Sequence, residues 1–453
     1  MQIPHAALWQ NVVSLGLLVM VSGISLSESR AAGDDFEGAP ISYSDSKPDN
    51  CISRLQETMD RGDLTLTRDG EQGYLKSFLK ALDVPVESQT LVFSKTSLQI
   101  RRITPRTPRA LYFSDDVYVG YCQGGDVLEV SAVDRSLGTV FYTLDQRGSE
   151  GVPRIERRTD QCLVCHASSR TEGVPGHVVR SLHVSQSGYP VLAAGSRNVN
   201  HTTPFHERWG GWYVTGLHGS QKHMGNLIVD EARFSGEADN SAGHNTTSLT
   251  DYFDTDRYLT PHSDIVALMV LEHQVLVHNR ITSANFGTRL ALDYDAMMSR
   301  ELKFPEGQRL ESTTRRIRSA GDKLVDSLLF VDEAPLSEAV TGTSGFAEKF
   351  AAAGPRDSQG RSLRDFDMTR RMFRYPCSYL IYSEAFRSLP PDVHTYVWMR
   401  LRDVLSGHDQ SPRFAHLSAD DRAAITEILN ETVPDAPAVW RESVAPETGD
   451  SEG

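Results

Sequence analysis

Residues 116–142 read DVYVGYCQGGDVLEVSAVDRSLGTVFY. Three short runs within this stretch, 116–121, 128–133 and 139–142, are rich in β-branched and aromatic residues and are bounded by glycine or aspartate. Such runs are typical of β-strands that are joined by tight turns. Similar runs predict further strands at 91–93, 178–184, 190–194 and 209–215. The first half of the chain is therefore predicted to be rich in strands.

Helical patterns follow a polar stretch at 235–256, which we interpret as a linker or a long surface loop. Thr260 is a suitable N-cap, Pro261 suits the first helical position and Asp264 falls in the first turn, which predicts a helix over 265–279. Further helices are predicted at 51–59, 285–301, 306–330, 344–353, 378–387, 391–405 and 418–432. The sequence thus predicts an α+β fold with a strand-rich N-terminal half and a mainly helical C-terminal half.

The composition is that of a globular protein. Of the 453 residues, 39% are hydrophobic and 23% are charged, so the chain can bury a core. The formal net charge of -14 argues against non-specific binding to nucleic acid or to an anionic membrane surface. Five cysteines are too few for a disulfide scaffold.

The N-terminus resembles a secretory signal peptide. Residues 12–26 form an apolar run, followed by small and polar residues and then by an acidic segment. The run is short for a membrane-spanning helix, and residues 1–11 contain no lysine or arginine. We therefore predict a signal peptide at 1–29 and a periplasmic or other extracytoplasmic location. An uncleaved anchor or a buried N-terminal helix remains the alternative.

Residues 162–166 read CLVCH, which is the C-x-x-C-H pattern for covalent attachment of c-type haem. Two thiols at this spacing reach the two vinyl groups of one porphyrin, and the adjacent His166 can ligate the iron from below. A zinc site would need two more ligands, and none follows at a suitable spacing. A redox dithiol does not need the histidine, and a simple disulfide leaves His166 unexplained.

On these five residues the chain resembles the c-type cytochromes. The resemblance implies one covalent haem c per chain, attached through Cys162 and Cys165, with His166 as the proximal axial ligand of the iron. It also suggests that the carbonyl of Pro175 accepts a hydrogen bond from this imidazole, although a simple turn would explain Pro175 equally well. Residues 417–425 look like the start of the C-terminal helix of such proteins.

The motif lies much further along the chain than in small cytochromes. We therefore expect a large, single-haem protein with a cytochrome c type of attachment site. Three regions are predicted: the signal peptide at 1–29, a strand-rich haem-attachment region at 30–256 and a helical region at 257–453.

Two segments offer candidates for the distal ligand. The segment 201–226 is rich in histidine and tryptophan, as expected of a haem pocket, and it contains Met224, the preferred candidate. In the helix predicted at 265–279, Met269 and His273 share one face, but a buried core stripe explains them better.

Basic residues near the motif could bind the haem propionates. Arg158, Arg170 and Arg180 flank the C-x-x-C-H sequence, and exposed surface arginines are the alternative interpretation. The remaining cysteines are Cys51, Cys122 and Cys377, for which one disulfide and one buried thiol are the simplest expectation.

These observations predict a periplasmic monohaem protein that carries out electron transfer with redox partner proteins. The alternative is a haem oxidoreductase, peroxidase-like or acting on a small molecule, with an open sixth iron position. A haem-based sensor is a third possibility. Neither nucleic acid nor, after removal of the signal, a transmembrane span is expected.

Overall fold

The computed structural model describes residues 36–147, 153–232, 234, 236, 238–305 and 307–441. The predicted signal peptide lies outside these residues. An antiparallel sheet of seven strands occupies the first half of the chain, in the order β6-β5-β4-β3-β2-β1-β9. Its strands are β1 (Thr90–Val92), β2 (Arg109–Phe113), β3 (Val117–Tyr121), β4 (Val127–Asp134), β5 (Gly138–Asp145), β6 (Ile155–Arg158) and β9 (Trp212–Tyr213). A separate pair is formed by β7 (Arg180–Ser181) and β8 (Arg197–Asn198).

The second half is mainly helical, and the predicted α+β fold is confirmed. Two helices precede the sheet and one short helix follows β6, namely α1 (Cys51–Asp60), α2 (Leu75–Ala81) and α3 (Gln161–His166). The others are α4 (Ile265–Leu302), α5 (Glu311–Leu328), α6 (Phe346–Ala352), α7 (Glu384–Arg387), α8 (Pro391–Leu405), α9 (Ala419–Thr432) and α10 (Ala438–Arg441).

Both faces of the sheet are buried, which explains the nearly continuous apolar character of its central strands. Residues paired across neighbouring strands share a face of the sheet. Tyr118 pairs with Ser131, and Ser131 pairs with Phe141, so these three side chains lie on the face that α4 covers. The opposite face packs against α1 and α2. The core under α4 includes residues from the strands and from the C-terminal helices.

Helix α4 starts at Ile265, as predicted, but it has a different N-cap and is longer. Its N-cap is Asp264 instead of Thr260, because Gln89 Nε2 donates to the carbonyls of Thr260 and His262 at 2.8 and 2.7 Å and holds that segment outside the helix. The two helices predicted at 265–279 and 285–301 form this one helix of 38 residues.

Two of the predicted strands are mostly or wholly wrong. In the range 178–184 only β7 is a strand. The range 190–194 contains a 3-10 turn over Leu192–Ala194, whose side chains are exposed. A strand needs a partner for its backbone groups, and an exposed alanine-rich segment gains little from a sheet surface. No helix within the described residues is long and apolar enough to cross a membrane.

Asp264 joins the start of α4 to a distant turn. Its Oδ1 accepts from the backbone N–H groups of Val266 and Ala267 at 2.8 and 3.2 Å, and its Oδ2 accepts from those of Thr343 and Ser344 at 2.7 and 2.8 Å. The carboxylate is fully buried. It therefore satisfies four backbone donors, two of them in the buried first turn of α4.

The substitution Asp264→Ala is expected to lower the free energy of unfolding by about 3 kcal/mol, because a helix cap is lost and buried N–H groups are left without acceptors. Urea denaturation followed by circular dichroism measures the change. Asp254→Ala is the matched control, since Asp254 caps a short 3-10 turn and forms an exposed ion pair with Arg257, and its loss should cost less than about 1 kcal/mol. Equal losses for the two variants would contradict the role of Asp264.

Candidate functional site

The C-x-x-C-H motif forms helix α3, directly after the edge strand β6. Cys162 and Cys165 are three residues apart and therefore lie on the same side of the helix. Cys162 is half-buried and Cys165 is exposed. Burial raises the pKa of Cys162 to about 11, with a further contribution from the carboxylate of Glu129. Both thiols are free, and Cys165 is open to solvent.

The imidazole of His166 is oriented by a backbone carbonyl. Its Nδ1 lies 2.9 Å from the carbonyl oxygen of Gly176, while the N–H of Gly176 donates to the carbonyl of His166 at 2.8 Å. A carbonyl oxygen can only accept, so Nδ1 carries the proton of the neutral ring. The lone pair is then on Nε2, which makes no hydrogen bond with the described residues.

The environment of His166 keeps the ring neutral. Burial lowers its pKa below the usual value, and the hydrogen bond to Gly176 offsets only part of this shift. The ring lies against that of Phe141 on β5, with a centroid separation of 4.9 Å. A neutral imidazole with a free Nε2 is the form in which histidine ligates a metal.

The carbonyl of Pro175 does not contact the imidazole. It accepts instead from the N–H of Thr139, the second residue of β5, at 3.1 Å. Successive carbonyls of an extended segment point in different directions, so when Pro175 binds the strand, Gly176 faces His166. The predicted role of Pro175 is therefore wrong by one residue.

A second histidine lies behind the first. His177 is buried, with Nε2 at 2.7 Å from Ser131 Oγ and Nδ1 at 3.3 Å from Thr139 Oγ1. Its ring centroid is 4.1 Å from that of Tyr118. Burial lowers the pKa of His177 well below its usual range. Both nitrogens have partners, so this ring is a structural support and not a candidate ligand.

Of the three predicted arginines, Arg180 lies in a short arm formed by β7 and β8, and Arg170 lies beside it. Arg180 Nη2 donates to Ser196 Oγ at 2.6 Å, and Arg170 Nη1 donates to Asn198 Oδ1 at 3.4 Å. Arg158 approaches Glu156 at 3.8 Å. The partners of Arg170 and Arg180 are neutral, which leaves their charges uncompensated by these contacts.

An ion pair that the sequence did not predict lies on the same side of the sheet as His166. Arg109 and Glu129 approach at 2.7 Å, and the Arg109 guanidinium covers Gly120 so closely that a Cβ there would lie 2.3 Å from it. Arg109 lowers the pKa of His166, and Glu129 raises it. The only sequence signal for this pair was the alternation of polar and apolar residues in two strands.

The histidine-rich segment separates into two clusters. His201 packs against His273 of α4. His218 and His223 gather with His244, with ring centroids 4.7 to 5.5 Å apart. No group of histidine, cysteine or acidic side chains within the described residues is arranged to hold a metal ion.

Met224 lies near the β7–β8 arm. Its sulfur accepts from Ser181 Oγ at 3.5 Å, and its N–H donates to the carbonyl of Arg208 at 2.9 Å. In the same segment, Trp212 Nε1 donates to the carbonyl of Arg180 at 2.8 Å. These contacts join part of the segment to the region beside the motif, and distal ligation by Met224 stays a prediction.

His273 and Met269 belong to the core, as the simpler interpretation predicted. His273 Nδ1 lies 3.0 Å from His201 Nδ1, and its Nε2 lies 2.8 Å from Ser378 Oγ. Met269 is buried within the core under α4. Neither nitrogen of His273 is available to an iron.

The remaining cysteines are free thiols, so the expected disulfide is wrong. Cys51 lies near Asp116, at the start of β3, whereas Cys122 follows the end of that strand. Cys377 is buried in the core under α4, on the other side of the sheet from α1. The sheet and the length of one strand keep these three sulfurs apart.

No protein-family model, curated protein or solved structure matches this chain. The interpretation of the site therefore depends on the residues themselves.

The thiols are expected to differ in reactivity in haem-free protein. Iodoacetamide at neutral pH should label Cys165 first, because it is exposed, and Cys162 more slowly, because its thiol stays protonated below about pH 11. Raising the pH toward that value should speed the labelling of Cys162 about tenfold per unit. Peptide mass spectrometry measures the order. Labelling of the buried Cys122 or Cys377 before Cys165 would contradict the geometry.

Proposed function

We propose that this protein is an extracytoplasmic, monohaem c-type protein that transfers electrons. The observation that carries the proposal is the state of His166, whose Nδ1 is bound by a carbonyl while Nε2 is free, next to two free thiols on one helical turn. Metal-ligating histidines commonly donate their other N–H to such a carbonyl.

The chain supplies the groups that a covalent haem requires. Cys162 and Cys165 provide two sulfurs on the same side of α3, and His166 follows them with its orientation already set. When bound, haem c supplies an iron centre that alternates between two oxidation states. The neutral imidazole offers a lone pair to that centre, and the protein needs no proton transfer to expose it.

The surface around the motif also suits a flat apolar group. Val164 on α3 is 80% exposed, and Leu192, in the connection between β7 and β8, is 85% exposed. Every residue from Leu192 to Asn198 is exposed. Exposed apolar residues near a candidate site commonly mark the binding surface of a ligand. Arg170 and Arg180, with neutral partners, are the cations proposed for the propionates.

The compartment follows from the same chemistry. Covalent haem attachment at C-x-x-C-H takes place outside the cytoplasm in bacteria, and the apolar run at 12–26 agrees with export. Redox partner proteins are proposed as the donor and acceptor.

Protein matured in a host that attaches haem c should be coloured, and its mass should exceed that of the polypeptide by one haem. Cys162→Ala and Cys165→Ala should each lose one thioether bond, and the double variant should lose covalent haem altogether. Cys377→Ala is the control, because Cys377 is buried in the core under α4 and should leave the haem content unchanged. Colourless wild-type protein with the mass of the bare chain would refute the proposal.

The visible spectrum tests electron transfer against the haem oxidoreductase alternative. For an electron carrier with Met224 as distal ligand, the ferrous protein should be low-spin and unaffected by carbon monoxide, and Met224→Leu should allow carbon monoxide to bind. Met297→Leu is the control, because this exposed methionine lies on α4 away from the arm. Binding of carbon monoxide by the wild-type protein would favour the oxidoreductase or the sensor.

A further inference from the structure

Asn279 of α4 binds the backbone that orients His166. Its Oδ1 accepts from the N–H of His177 at 3.0 Å, and its Nδ2 donates to the carbonyl of His177 at 2.8 Å. The side chain is buried, and its two hydrogen bonds join residues that are 102 positions apart in the sequence. The oxygen and the nitrogen of the carboxamide therefore both bind the backbone of His177.

The N–H of His177 and the carbonyl of Gly176 belong to the same peptide unit. Because a trans peptide is planar, its N–H and its carbonyl point in opposite directions. Asn279 binds the N–H on one side, and the carbonyl on the other side accepts from Nδ1 of His166. A group that fixes the N–H direction also fixes the direction of the carbonyl.

The same contact explains why residue 176 is a glycine. A Cβ at this position would lie 2.2 Å from Asn279 Oδ1, which is too close for any side chain. The carboxamide thus packs directly on the Gly176 backbone. This approach, together with the two hydrogen bonds, leaves the peptide no alternative orientation.

Hydrogen bonding at the N–H also changes the strength of the carbonyl as an acceptor. Chains of hydrogen bonds polarise each other, so a peptide whose N–H is bound accepts more strongly at its oxygen. A stronger acceptor at Nδ1–H makes the imidazole a better electron donor at Nε2.

We propose that Asn279 is a positioning residue for the axial imidazole, setting the orientation and donor strength of His166 through the peptide between Gly176 and His177. The inference deepens the proposed function and rests on it. The loop should survive loss of Asn279, because the ring of His177 is separately anchored by Ser131 and Thr139.

The first measurement uses the haem-free full chain. Nitrogen-15 NMR of His166 should show the Nδ1–H tautomer in the wild type. In Asn279→Leu, which nearly preserves side-chain volume, the ratio of that tautomer to the Nε2–H form should fall about tenfold, as expected for loss of one well-oriented hydrogen bond. Asn279→Ala provides a second variant in case the leucine is not accommodated.

Asn285→Leu is the matched control. Asn285 is also a buried asparagine of α4, but its Oδ1 has no hydrogen-bond partner, so its replacement should leave the His166 tautomer unchanged. If the loss of any buried asparagine disturbed the structure enough to change the His166 tautomer, both variants would show the change.

The second measurement is the reduction potential of the haem-loaded protein. Asn279→Leu should raise the potential relative to the wild type and to Asn285→Leu, because a weaker imidazole donor stabilises the ferric state less. If all three proteins have the same potential and tautomer ratio, the role of Asn279 is refuted. If the wild type carries no haem, the proposed function fails, while the tautomer measurement still decides whether Asn279 orients His166.

Discussion

Buried polar side chains of α4 hold the irregular segments of this protein in place. A loop buried against a helix has backbone groups that no strand or helix satisfies, and each unpaired group costs about 1–3 kcal/mol. Helix α4 supplies the missing partners at several points. Asp264 binds the N–H groups of Thr343 and Ser344, and Asn279 binds both backbone groups of His177. An entirely apolar helix could cover the sheet but could not hold these loops.

The C-x-x-C-H motif depends on this arrangement. Helix α3 has only six residues and no side-chain hydrogen bond at its N-cap, and a helix of that length is not stable by itself. Its position comes from β6 on one side and from the loop that ends at His177 on the other. The result is an exposed thiol at Cys165 beside a firmly oriented imidazole at His166. These are the groups on which the proposed haem attachment rests.

Much of the fold could be predicted because its elements have clear local patterns. The central strands β3, β4 and β5 are short apolar runs with turn residues between them, and helices such as α8 and α9 have well-spaced apolar residues. The predictions are wrong where tertiary contacts override the local sequence pattern. The segment at 190–194 is apolar but has no sheet to join, and the N-cap of α4 is Asp264 instead of Thr260 because Gln89 binds the backbone before the helix.

The sequence by itself determined the C-x-x-C-H spacing at residues 162–166 and the α+β class. The reason is that the spacing of two thiols and an imidazole within five residues, and the periodicity of strands and helices, are local properties of the chain. Only the tertiary structure decided which carbonyl accepts the hydrogen bond from His166 and which cysteines stay apart. It also decided that Asn279 holds the peptide that orients the imidazole. Those contacts join residues far apart in the sequence, such as His177 and Asn279, and they exist only because α4 packs across the sheet. No spacing rule along the chain encodes such a pair.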